Sequence, residues 1–134
     1  MKKLSSLFVV ICLMMSTSVF AQTASDFKKA DQLAMKGRVM YSEGRYPAAI
    51  DVLQKAVAFN PTNGVAVYYL AMSHIRVGET DQAIDLLEAY EKNVTQKGVR
   101  LSKLDKRYTR RNRKLLVYAK TKIPRNTQKA KPVD

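Results

Sequence analysis

A chain of 134 residues holds one small domain at most, and a single cysteine rules out a disulfide framework. Its one histidine has no base or nucleophile at a suggestive spacing, so no catalytic constellation is visible. The formal charge of +13 is lopsided: Gln22–Gln96 carries eight Lys/Arg against nine Asp/Glu, whereas Lys97–Asp134 carries fourteen against two. An excess confined to the C-terminal third points to an anionic partner for that part alone.

In chain order, the first predicted element is a leader. Met1-Lys2-Lys3 is basic, Leu7 to Met15 is an unbroken apolar run, and Val19-Phe20-Ala21 ends on a small residue. This order predicts a secretory signal over 1–21, cleaved between Ala21 and Gln22. The run is too short to span a bilayer comfortably, and Ser16, Thr17 and Ser18 interrupt it. Cys12 lacks the preceding small residues of a lipid-attachment site, and its removal with the leader leaves no thiol. The leader has a bacterial character, so the expected location is periplasmic.

Five helices are predicted next, over a domain of 22–122. Ser25 and Asp26 are expected to cap the first, which runs to about Glu43 and stops at Gly44. Pro47 suits the first turn of the second, where its missing N–H costs nothing. That helix carries Ala49, Ile50, Leu53, Ala56 and Val57 and ends at Asn60-Pro61. Thr62 or Asn63 caps the third, which reaches Val77 before Gly78. Thr80 is expected to cap the fourth, which carries Ala83, Ile84, Leu86, Leu87 and Tyr90. Lys97-Gly98 breaks the chain. Ser102 with Asp105 then reads as a capping box for a fifth helix over 102–121, with Leu104, Tyr108, Leu115, Leu116 and Ala119 inward. Pro124 marks its end, and 123–134 reads as a polar, basic, disordered tail.

Two of these helix pairs repeat. Gly44, Ala49, Ile50, Asp51 and Leu53 recur 34 residues later as Gly78, Ala83, Ile84, Asp85 and Leu87. Small residues at fixed phase and that period indicate an all-α helical solenoid, whose stacked repeats work as recognition surfaces. The pattern resembles the tetratricopeptide repeat. Residues 30–63 supply Leu33, Gly37, Met40, Gly44, Tyr46, Ala49, Leu53, Ala56 and Pro61. Residues 64–97 supply Val67, Leu70, Ala71, His74, Gly78, Ala83 and Leu87. Lys36 departs from a usually apolar position, Tyr90 from a usually small one, and the second repeat lacks a closing proline. Two repeats are few, so the fifth helix is expected to cap the stack, with Leu101, Leu104 and Tyr108 in the phase of a third repeat's first helix. A homodimer completing the stack is the alternative.

By the same resemblance, the first helix of each repeat lines the concave face. Arg38 and Tyr41 then come from the first repeat, Tyr68, Met72 and Arg76 from the second, and Lys103, Lys106 and Arg110 from the fifth helix. Aromatic and methionine surface beside guanidinium and ammonium groups suits an extended acidic segment. The carboxylate clamp of some family members is not matched, because Ala34, Arg38, Val99 and Tyr69 stand at its places and only Lys103 is basic as expected.

The expected function is therefore an exported interaction module or scaffold for an acidic or extended segment of a cell-envelope protein, with no enzymatic activity and no cofactor or metal. His74 reads as a core residue. Asp81, Asp85 and Glu88 read as a solvated helix face rather than a metal site. Asn93-Val94-Thr95 matches a glycosylation sequon that means little in a bacterial chain. The competing reading attaches the basic fifth helix to anionic lipid or cell-wall polymer. Export disfavours nucleic acid.

Overall fold

The computed structural model describes residues 24–123. The expected signal segment 1–21 and residues 124–134 of the expected tail lie outside them. Five helices and no strand are found among the described residues. Helix α1 covers 24–42, α2 Tyr46–Phe59, α3 Gly64–Arg76, α4 Thr80–Val94 and α5 Lys103–Lys122. The first two form one hairpin, packed at Gly37 and Leu53; the next two form another, and α5 packs on both α3 and α4. This is the all-α solenoid that the 34-residue period implies.

The period is written most literally in the turns. Gly44 and Gly78 take φ of 76° and 86°, a left-handed region that glycine enters without cost. At each, the next residue reaches back across the helix end. Arg45 N–H donates to the Met40 carbonyl at 2.9 Å, and Glu79 N–H donates to the His74 carbonyl at 2.8 Å. These are two copies of one glycine-terminated helix end.

Small residues set the helix crossings. A Cβ on Gly37 would fall 2.3 Å from Leu53 Cγ, so α1 and α2 meet there with no room for a side chain. Ala49, Ala71 and Ala83 are fully buried at the matching contacts. Apolar burial then gathers in two adjoining clusters, one around Leu53, Ala66 and Leu70, the other around Val67, Leu87 and Leu115.

Tyr90, the departure from the repeat pattern, is only 1% exposed. Its hydroxyl lies 2.8 Å from Thr109 Oγ1, so α4 reaches under α3 to grip α5. Gly64 makes the space: a Cβ there would meet Tyr90 Oη at 2.9 Å and Tyr108 Cβ at 2.8 Å. A large residue on one helix is thus matched by a missing side chain on the next.

Three local expectations change. Ser25 and Asp26 lie inside α1 rather than capping it. Thr80 is the first residue of α4; Glu79 occupies the cap position, without a side-chain capping bond. The fifth helix does not take the register of a third repeat. Leu101 precedes it, Leu104 is 51% exposed, and the buried line is Tyr108, Asn112, Leu115 and Ala119. The cause is a polar clamp on the first residue of α3. Asp105 Oδ1 accepts from the Gly64 amide at 2.9 Å, while Asn112 Nδ2 donates to the Gly64 carbonyl at 3.2 Å. That sets Tyr108 against Gly64 and leaves Leu104, one turn earlier, beyond the end of α3. The capping expectation itself holds: Ser102 Oγ accepts from the Asp105 amide at 3.0 Å and donates to Asp105 Oδ2 at 2.6 Å.

Candidate functional site

The first helix of each hairpin and α5 present a shared face, and tyrosines dominate it. Tyr68 and Tyr69 are consecutive on α3, so their side chains diverge by about 100°. Tyr69 leans toward α1, where its ring centroid is 5.4 Å from that of Tyr41. Tyr68 leans toward α5, 5.5 Å from Tyr108, and the pair themselves meet edge-on at 5.3 Å. Tyr46, at the start of α2, extends the row 5.4 Å beyond Tyr41. The rings meet tilted or edge to face, which suits their quadrupoles. The result is a continuous aromatic floor across four helices, half-buried at Tyr41, Tyr68 and Tyr69.

Three arginines border this floor. The Arg38 guanidinium lies 5.9 Å from the Tyr69 ring, Arg76 lies 5.6 Å from Tyr46, and Arg111 lies 5.0 Å from Tyr108. Cation–ring attraction holds each over the floor. The neighbouring Tyr41 hydroxyl pushes the already high Arg76 pKa further up. Burial, reinforced by the neighbouring Tyr108 side chain, raises the Tyr69 pKa, so that hydroxyl keeps its proton at physiological pH. None of the three arginines forms an ion pair with a carboxylate among the described residues.

The candidate residues named from sequence thus divide. Arg38, Tyr41, Tyr68 and Arg76 come together. Met72 is half-buried and packs against the second core cluster, one turn from both Tyr68 and Arg76. Lys103, Lys106 and Arg110 do not converge with Arg76. They are exposed about half a turn from the buried line of α5, because the clamp at Gly64 rotates that helix away from the expected register. Tyr69, Tyr108 and Arg111 belong to the floor and its border and were missed as groove residues. The Tyr68-Tyr69 doublet and the Tyr108/Arg111 spacing of one turn are the signals that mark them.

An apolar hollow of about 770 Å³ continues the face toward the N-terminal ends of α3 and α5. Phe27, Met35, Phe59 and Leu104 line it and stay largely exposed. Ala34 and Val65 join it to the tyrosine floor, each one turn before Arg38 and Tyr69 respectively.

The remaining polar features are structural. His74 is 7% exposed, and its Nδ1 lies 2.6 Å from Glu79 Oε2, tying the end of α3 to the adjoining turn. Asp81 and Asp85 are exposed on α4. Among the described residues, no group of three His, Cys, Asp or Glu could hold a metal ion, and no helix is long and apolar enough to cross a membrane.

Residues 40–100 match the family model of the tetratricopeptide repeat. No curated protein matches the chain.

Proposed function

We propose that this tetratricopeptide-repeat protein holds an extended, acidic segment of a partner protein along the face of α1, α3 and α5. Repeats of this family serve protein–protein contact and are generally without catalysis. The observation that carries the finer reading is the tyrosine floor bordered by Arg38, Arg76 and Arg111. Each guanidinium has one face against a ring and no carboxylate of its own. A carboxylate arriving from solvent gains charge-assisted hydrogen bonds without displacing an internal ion pair. The rings add rigid amphipathic area at low entropic cost. Met72 adds an adaptable apolar contact between them. The apolar hollow supplies a place for a bulky side chain on the same segment.

The N-terminal order of basic, apolar and small residues supports export, so the partner is a cell-envelope protein. Mass spectrometry of the exported protein should then find Gln22 as its first residue; a retained Met1 would remove the argument for the envelope.

A capped octapeptide alternating Glu and Leu is a suitable probe for the face itself. Titrated against the protein, it should bind severalfold more weakly to Arg76→Ala and Arg38→Ala, and about equally to Lys106→Ala. Equal losses in all three variants would mean that the peptide answers to net charge and not to this face.

A further inference from the structure

We infer that the outward face of α5 is a docking surface for an anionic lipid bilayer, separate from the tyrosine face. Lys103, Lys106, Arg110 and Lys114 follow one another at three- and four-residue steps, and Val117 continues the row. On a helix that spacing draws a single stripe. It lies about half a turn from Tyr108, Leu115 and Ala119, the residues that α5 buries. All five side chains are exposed, and no described element covers them.

The pairing of charge on α5 is selective. Arg113 binds Glu91 of α4 through Nε and Nη2, at 2.7–2.9 Å. Lys120 binds Glu88 of the same helix. Both stand on the side turned toward α4. The four cations of the outward stripe have no carboxylate partner among the described residues. A cap that needed only solubility would be served by interspersed charges of both signs. Here the uncovered side carries one sign.

An apolar group at the end of the stripe decides which anion it fits. Val117 is 62% exposed. A soluble polyanion would use the cations and leave Val117 in water. A bilayer uses both, because headgroups meet the ammonium and guanidinium groups while the valine side chain enters the interfacial layer. The row from Lys103 to Val117 spans about 21 Å on a straight helix, a length that can lie flat on a planar surface. The tyrosine face stays free, so the two surfaces work together: one holds the partner, the other holds the protein at a membrane.

Vesicle sedimentation of the full-length protein tests this. Phosphatidylcholine vesicles report whatever the N-terminal apolar run contributes, and vesicles mixed with phosphatidylglycerol report the added effect of negative charge. The added binding should fall as salt rises. Reversing two charges together, Lys106→Glu with Arg110→Glu, should lower it by roughly 30-fold or more. Val117→Asp should also weaken it, and Arg76→Ala should leave it unchanged. Unaltered helicity in each variant serves as the fold control. Equal binding to both vesicle types, or indifference to the double reversal, overturns the inference. So does heparin binding that Val117→Asp leaves intact while vesicle binding is absent; the stripe would then be a site for a soluble polyanion.

Discussion

Tyr90 and Gly64 are best understood as one feature, although 26 positions separate them in the chain. The tyrosine fills the space beside an absent side chain and ends on Thr109. Gly64→Ala would put a methyl inside contact distance of Tyr90 and of Tyr108 Cβ, so overpacking should cost about 1–3 kcal/mol in urea denaturation. An unchanged midpoint would mean that α5 is not seated on Gly64. The same tyrosine makes stability depend on alkaline pH. Burial raises its pKa from the ordinary 10.0, so the folded protein keeps a proton that the unfolded chain gives up first. The contribution is complete below about pH 10 and is lost as pH rises through the folded value. The denaturation midpoint should therefore drop above about pH 10, and Tyr90→Phe should drop less steeply. Parallel curves for the two proteins would mean that another group causes the alkaline loss. Composition and spacing mark Tyr90 only as a break in the repeat. Its partner is invisible in the sequence because nothing local ties a residue on α4 to the absence of a side chain on α3.

At the scale of the element, what was legible is what a helix decides for itself. Gly44 and Gly78 end their helices, Asn63 caps α3 through the Ala66 amide, Pro47 sits in the first turn of α2, and Ser102 caps α5. Each is a contact between residues a few positions apart. The seating of α5 was not legible. Leu101 and Leu104 have the phase of a packed turn, yet Asp105 is claimed by the amide of Gly64, 41 residues earlier, and that bond fixes the register. Asp105 serves two helix N-termini at once, which concentrates much of the seating of α5 in one carboxylate. Asp105→Ala should cost about 1–3 kcal/mol, against about 1 kcal/mol for Ser102→Ala. Amide exchange in the first turn of α5 should also quicken more in the former. Similar protection in the two variants would mean that Gly64 is held by something else.

Over the whole molecule, two repeats and one added helix make three neighbouring helices on one side, and a recognition face needs little more. The family and the all-α stack were legible because period and small residues are properties of the sequence itself. The composition of the face was half legible. Arg38, Tyr41, Tyr68 and Arg76 come from the repeats, whose phase was known. The contribution of α5 was misassigned, because its rotation depends on the clamp at Gly64. That rotation separates the cations into Arg111 beside the tyrosines and Lys103, Lys106 and Arg110 facing away. The central claim, that the tyrosine face and not the basic stripe takes the acidic segment, can be read directly by NMR. With the Glu/Leu octapeptide as titrant, amide and side-chain shifts should cluster at Arg38, Tyr41, Tyr68, Tyr69, Arg76, Tyr108 and Arg111. Shifts gathered at Lys103, Lys106 and Arg110, with the tyrosines unmoved, would contradict it.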